Sequence, residues 1–251
     1  MGVGPHDNDI MLIYGINPVL EALRAGGVTS LRVSDRGGKR LDGILEVAAQ
    51  HRITVRRTDS ATLNRDAHGG AHQGVVAEVR AAKAYSVADL VHDAVGPPLL
   101  IVLDGIEDPH NVGAILRTAD AAGADGVVRQ SRRAARLEGA AAKASAGAVA
   151  HVKIAEVVNI ARAIEALKEL GVWSVGLAAD APRRYDQMDL TVPTALVLGA
   201  EGTGLRRLVR DRCDLLASMP MQGHVQSLNV SVAAGIALYE AVRQRLNRTS
   251  R

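Results

Sequence analysis

Three short segments carry residues whose types and spacing could do chemistry. In LDGIEDPHNVGAILRTADAAGADGVV, Asp104 closes an apolar run, Asn111 can cap the helix that follows, and Arg117 lies further along it among Ile115, Leu116 and Ala119. An arginine buried among such neighbours needs an anionic partner, and its guanidinium suits a phosphate or a developing oxyanion. In LVLGAEGTGLRRL, Gly199, Gly202 and Gly204 flank Glu201. Glycines let backbone amides come close to a ligand. The spacing is not G-x-G-x-x-G and no Walker lysine follows, so a plain tight turn explains the glycines equally well and leaves Glu201 as the less expected residue. In MPMQGHVQSLNVSVAAGIALYE, Gln226, Ser227, Asn229 and Ser231 crowd the entrance to a helix. Capping employs one of these groups, not all four. A ligand that needs several neutral donors and acceptors accounts for them better.

The elements that must hold these residues alternate strand and helix. LLIVLDG reads as a buried parallel strand, followed by a helix from about Asn111 to Ala122 and a strand at DGVV. AAAKASAGA is open to either helix or loop. HVKIAEV leads into the helix IARAIEALKELG, which Gly171 stops; VWSVGLA, TALVLG and LLASMP read as strands, and a helix runs from about Leu228 to Leu246. The alternation predicts a doubly wound parallel sheet, and the three segments each lie just past the end of a strand, where ligands bind in such sheets. Upstream, IMLIYG, SLRVS, ITVRR and QGVVAEV read as strands. NPVLEALRAG is a helix with Asn17 at its cap, Pro18 in its first turn and Gly26 past its end, and LDGILEVAAQHR is amphipathic. This gives a compact α/β unit over residues 10–80, self-contained enough to fold alone, then a linker over 81–98 ending in Pro-Pro, then a larger domain over 99–247.

Composition narrows the function classes. Of 251 residues, 47% are hydrophobic, ample for a core, and no apolar run is long enough for a membrane span. MGVGPHDND lacks the basic start and apolar stretch of a secretory signal, and the lone Cys213 forms neither an internal disulfide nor a cysteine-pair zinc site; a cytoplasmic protein is expected. No metal-ligand pattern such as His-Glu-x-x-His is present, so no metal is expected. The net charge is +3, and the arginines cluster: Arg129, Arg132, Arg133 and Arg136 in one run, Arg206, Arg207, Arg210 and Arg212 in another. Such clusters read as solvated faces or as phosphate-binding surface, and two beside Gly-rich loops favour a nucleic-acid partner. With no Phe, one Trp and four Tyr, a platform of stacking rings cannot be built, so RNA would be held through phosphates, sugars and shape.

Taken in order, the three segments resemble motifs 1, 2 and 3 of the SpoU (TrmH) family of RNA ribose 2′-O-methyltransferases, in the SPOUT superfamily. The matching positions are Asn111, Gly113 and Arg117, then Gly199, Glu201 and Gly202, then Ser227, Leu228 and Asn229. IYGINPVLEAL and HQGVVAEV resemble the substrate-binding domain of the branch that methylates a guanosine of 23S rRNA. The resemblance implies a C-terminal SPOUT domain with a parallel sheet and a trefoil knot, plus a small N-terminal α/β domain like those of ribosomal and kink-turn RNA-binding proteins. It also implies S-adenosylmethionine as cofactor and a homodimer whose partner completes the site. Met219 stands where an aliphatic Ile is common, and RRAARLEG is richer in arginine than the pattern.

The resemblance distributes the roles. Gly199, Met219 and Leu228 are implied cofactor contacts, with the amides of Ala200 and Gly202 in the same loop taking adenine and ribose. Arg117, Asn111, Glu201, Ser227 and Asn229 are the implied catalytic set. Guanidinium groups hold their protons, so Arg117 is expected to grip the nucleotide phosphate and stabilise the developing oxyanion, with Glu201 and Asn111 orienting it. Ser227 and Asn229 would orient the methionine end of the cofactor or the ribose without adding charge. His110 and His224 flank the motifs as alternative bases. The alternatives are the same chemistry on tRNA, or an RNA-binding module without catalysis.

Overall fold

The computed structural model describes residues 10–24, 26–35, 37–80, 84–131, 137 and 140–249. They fall into two compact units, one holding 10–80 and 140–151, the other 84–131 and 152–249. Arg132, Arg133 and Arg136 of the first arginine cluster, residues 81–83 of the expected linker and the N-terminal MGVGPHDND lie outside the described residues.

The first unit is built on a four-stranded sheet in the order β1 (Ile10–Tyr14), β4 (Val75–Arg80), β2 (Val28–Ser34), β3 (Thr54–Thr58). β4 runs antiparallel to both β1 and β2, whereas β2 and β3 are parallel. Its helices are α1 (Ile16–Arg24), α2 (Asp42–Gln50) and α3 (Ser60–Asp66). Asn17 does not cap α1. The helix starts one residue earlier, straight after Gly15, and the side-chain oxygen of Gln73 accepts the Ile16 N–H at 3.0 Å. Gly26 does end it: at φ +74° its N–H reaches the Leu23 carbonyl and that of Gly27 reaches Ala22. The sequence reading did not anticipate α3. Its seven residues hold one large apolar side chain, the buried Leu63, and its start is set by Asp59, whose carboxylate accepts the Thr62 N–H at 2.9 Å.

The same unit includes a later stretch of chain. AAAKASAGA resolves into α6 (Ala140–Ala144) and a 3-10 turn at Ala148–Ala150. Ala141, Ala142, Ala148 and Val149 are buried. Gly147 lies so close to α1 that a Cβ there would stand 2.3 Å from Glu21 Cβ. The small residues of this stretch are what permit the approach.

The second unit carries a seven-stranded sheet, every pairing parallel, in the order β7 (Ile154–Val157), β6 (Gly126–Gln130), β5 (Leu99–Asp104), β10 (Thr194–Gly199), β8 (Trp173–Leu177), β11 (Leu215–Ser218), β9 (Arg183–Arg184). The helices are α4 (Val87–His92), α5 (Pro109–Ala121), α7 (Ile160–Glu169), α8 (Arg207–Arg212) and α9 (Val230–Thr249). Residues 84–98, expected as linker, hold α4. A reciprocal Ser86–Asp89 capping box starts it, and the fully buried Leu90 packs with Leu100, Val128, Ile160 and Leu167. That stretch is part of the second unit's core. α5 begins at Pro109 with Asp108 as its cap, the carboxylate accepting the His110 N–H at 2.9 Å. Asn111, expected in that role, sits inside the first turn and is buried, because proline suits the first helical position and leaves the cap to the residue before it.

α5 and α9 pack against each other, with Gly235 facing Thr118; a Cβ on that glycine would be 3.6 Å from Thr118 Cγ2. The far end of α9 is fastened by Arg245, which donates to the carbonyls of Leu190 (3.0 Å), Pro97 (2.6 Å), Pro98 (3.0 Å) and Val192 (3.1 Å). Gln244 adds bonds from its amide nitrogen to the Met188 carbonyl and to its oxygen from the Leu190 N–H. Among the described residues, no helix is long and apolar enough to cross a membrane.

Candidate active site

At the carboxyl ends of β8, β10 and β11 the second unit opens into two neighbouring cavities. One, of about 630 Å³, is lined by Gly199, Ala200, Glu201, Gly202, Ser227, Leu228 and Asn229 among others. The second, of about 510 Å³, is lined by Met219, Pro220, Met221, His224, Gln226, Ser227 and Leu228. Both share Leu177, Ala178 and Ala179 as a common wall. The strand pattern of VWSVGLA does not mark this wall as part of a site. Its position just past a parallel strand was the available signal.

Gly199 is dictated by sterics. Any Cβ there would lie 2.1 Å from the Gly204 carbonyl carbon and 2.3 Å from the Leu205 nitrogen, because the chain turns back over it. The turn is closed by the Gly204 N–H bonding the Ala200 carbonyl at 2.8 Å, and it holds Glu201 at its tip. Opposite stands Asn229. Its Nδ2 donates to Glu201 Oε1 at 2.7 Å and to Asn111 Oδ1 at 2.9 Å. Its Oδ1 accepts the Ser231 N–H at 2.9 Å and the Ser231 hydroxyl at 2.6 Å, so Asn229 also caps α9. One amide thus joins the three sequence segments at a point.

The other polar residues divide clearly. Ser231 serves the cap. Ser227 is exposed, lines both cavities and has no hydrogen-bond partner among the described residues. Gln226 and His224 line the second cavity, and His110 is exposed on α5.

Arg117 is placed differently from expectation. It is exposed and makes no ion pair or side-chain hydrogen bond among the described residues. Six residues along a helix at about 100° each leave it roughly 120° around the axis from Asn111, and it lines neither cavity. Its neighbours Ile115, Leu116 and Ala119 point into the core while the guanidinium points out.

Of the first arginine cluster only Arg129 is among the described residues, and in the second most of the guanidinium groups are engaged by carboxylates. Arg129 is buried in β6, with Glu156 at 3.5 Å, and burial holds its pKa below the usual arginine range. In the second cluster, Arg206 pairs with Asp104 and Arg212 with Glu165 at 3.0 Å. Arg210 makes a two-pronged bond to Asp180 at 2.7 and 3.0 Å. Both Arg210 and Asp180 line the first cavity; the Arg210 bond holds the Asp180 carboxyl below its ordinary pKa. Arg207 remains, 3.8 Å from Asp211. Among the described residues no group of three or more His, Cys, Asp or Glu side chains could hold a metal ion.

Comparison with known proteins matches both units. The family model described as the SpoU rRNA Methylase family fits residues 98–239, and one described as RNA 2′-O ribose methyltransferase substrate binding fits residues 12–85. The 23S rRNA (guanosine-2′-O-)-methyltransferase RlmB of a Burkholderia species is 46% identical over 243 residues, covering 95% of this chain and 98% of its own. The RlmB of Pseudomonas aeruginosa is 44% identical over 93% of this chain and 96% of its own. Among solved structures, the SpoU methyltransferase AviRb from Streptomyces viridochromogenes, in complex with the cofactor AdoMet, superposes with a TM-score of 0.79 at 27% identity, covering 97% of this chain and 95% of that one.

Proposed function

Because the chain belongs to the SpoU rRNA methylase family, we propose that it transfers a methyl group from S-adenosylmethionine to the ribose 2′-hydroxyl of a guanosine in 23S rRNA. The observation that carries this reading is the Asn111–Asn229–Glu201 network, which gathers all three sequence segments at a cleft on the carboxyl ends of parallel strands. The relatives that act on 23S rRNA match nearly the whole chain, substrate-binding unit included.

The cleft suits the cofactor. Its volume is in the range of small-molecule sites, and its walls offer backbone amides and carbonyls with apolar Leu177, Leu198 and Leu228. Asp180 and Arg210 neutralise each other, leaving Glu201 as the unbalanced charge, the right sign to face a sulfonium. Gly199, Ala200, Gly202, Met219 and Leu228 would hold the adenine and ribose. When bound, S-adenosylmethionine supplies a methyl group made electrophilic by its sulfonium charge.

What remains for the protein is positioning. Asn229 holds Glu201 and Asn111 in fixed orientation and keeps its own amide fully engaged, so it acts by alignment. Ser227, with an uncommitted hydroxyl at both cavities, orients the ribose or the methionine end of the cofactor. Arg117 grips the phosphate of the reacting nucleotide and steadies the developing oxyanion. Its exposed position away from its own cleft supports a homodimer in which it reaches the partner's site. Val232, Ile236 and Tyr239, exposed at 49%, 37% and 52% and spaced at i, i+4 and i+7 on α9, supply an apolar stripe for that pairing.

The remaining assignments follow the same reading. A trefoil knot at the C-terminal end is the chain topology that membership of this family leads us to expect. The unit built on 10–80, with 140–151 packed into it, serves RNA binding, and the unit holding 84–131 and 152–249 carries methyl transfer, working in the cytoplasm. The test is transfer of labelled methyl from S-adenosylmethionine to a 23S rRNA fragment and to tRNA by the purified protein. Transfer to the 23S fragment alone is expected; transfer to tRNA alone, or none with cofactor bound, would replace this reading by one of its two alternatives.

A further inference from the structure

Asp104 is fully buried at the end of β5, at the centre of the parallel sheet. A buried carboxylate needs strong partners, and among the described residues those of Asp104 come from Arg206. The Arg206 backbone N–H donates to Oδ2 at 2.8 Å and its Nε to Oδ1 at 2.6 Å, while Nη2 completes an ion pair. Arg206 is the residue just before α8, in the cap position. In the sheet, Asp104 pairs with Gly199. The carboxylate therefore sits beside the first residue of the glycine loop and grips the last. Between them the loop has no slack, since Gly204 and Leu205 already touch Gly199 and the Ala200–Gly204 bond closes the turn. This hoop meets the Asn229 amide through Glu201 at its tip.

We propose that Asp104 is a positioning residue for methyl transfer, holding the far end of the 199–206 loop through Arg206 beside the strand position from which the loop leaves at Gly199, so that Glu201 is presented to Asn229. Asp104 touches neither cavity and acts through the loop alone. It secures the loop from beneath, as the Asn111–Asn229–Glu201 network secures it from above. This inference rests on the methyltransferase reading of the cleft, but its first readout does not.

That readout is amide hydrogen exchange of the cofactor-free protein, comparing wild type with Asp104→Asn, Arg206→Met and Arg206→Lys. In Asp104→Asn and Arg206→Met the amides of 200–206 are expected to exchange faster, with β5 and β10 unchanged. In the methylation assay these two variants lose roughly 10- to 100-fold in kcat per folded molecule, the scale of a small misplacement far from the chemistry, with KM for RNA unchanged. Arg206→Lys, which restores a positive charge beside Asp104 that Arg206→Met lacks, recovers most of the loss. Arg206 is half exposed, so its variants keep the test meaningful even where Asp104→Asn fails to fold. Unchanged loop exchange in Arg206→Met would overturn the proposal. So would a rise in RNA KM at constant kcat, which would make Arg206 a phosphate contact instead. A wild type that methylates no RNA while its loop still loosens in the variants would count against the methyltransferase reading and leave the clasp standing.

Discussion

Asn229 commits both amide hydrogens and its oxygen to protein partners, which makes it a sensitive point for the site. Asn229→Asp would set a carboxylate against Glu201 and is expected to lower kcat/KM by about 100-fold or more. Asn229→Ala loses the α9 cap, about 1 kcal/mol of stability, so the thermal midpoint should fall modestly while activity collapses. Parallel decline of the two would reduce Asn229 to a structural cap. Cys213 gives a second residue-scale prediction. Burial, aided by the nearby Asp214 and Asp104 carboxylates, pushes its thiol up to about 12. At pH 8 the thiolate is on the order of a thousandfold scarcer than on an unfolded chain, so the native protein should resist iodoacetamide until denaturant is added. The sequence made legible that three polar segments follow strands, but not which of their residues touch. Asn111 and Asn229 are 118 residues apart, Asp104 and Arg206 102, and no local pattern announces such pairs. The outward turn of Arg117 was hidden for the same reason: its apolar neighbours in sequence are not its neighbours around the helix.

At the scale of elements, the periodic segments were legible and the short or weakly patterned ones were not. β5 and β10 read directly from uninterrupted apolar runs because they are buried on both faces. α3 and α8 each bury a single large side chain, Leu63 and Val209, too few to leave a period. α4 was absorbed into a linker because its six residues are bordered by Pro97 and Pro98, although Leu90 is among the most buried side chains of the second unit. α9 is held at its far end by the Arg245 guanidinium and its four carbonyl partners. Arg245→Met leaves those carbonyls short of donors and should destabilise the protein by about 2–3 kcal/mol, measured by urea unfolding. Arg245→Lys, with one ammonium in place of a planar fork, should recover only part of that. A change within 0.5 kcal/mol, roughly that of an ordinary surface substitution, would remove Arg245 from the account of how α9 is fastened.

At the scale of the whole molecule, the first unit is not a contiguous stretch of chain. The expectation that residues 10–80 fold alone meets a later segment, 140–151, which supplies Ala141, Ala142 and Val149 to the same unit. A fragment ending at residue 83 should be less stable than the same unit in the intact chain, with faster exchange in α1 and β1, which α6 contacts. Equal protection in both would show the later segment to be dispensable. The proposed dimer makes a further prediction. Arg117→Ala and Asn229→Ala, each inactive alone, should regain activity when co-expressed, since a mixed dimer would hold one site with both residues intact. No recovery from verified mixed dimers would mean that Arg117 does not serve the partner's site. The central claim, ribose methylation of a 23S rRNA guanosine, is tested most directly by nucleotide-resolution mapping of unmodified 23S rRNA after incubation with the protein and S-adenosylmethionine. The account predicts one new 2′-O-methylguanosine, absent when Asn229→Ala replaces the wild type. A methyl group on a base, on another nucleoside, or nowhere in the rRNA under conditions where the cofactor binds would contradict it.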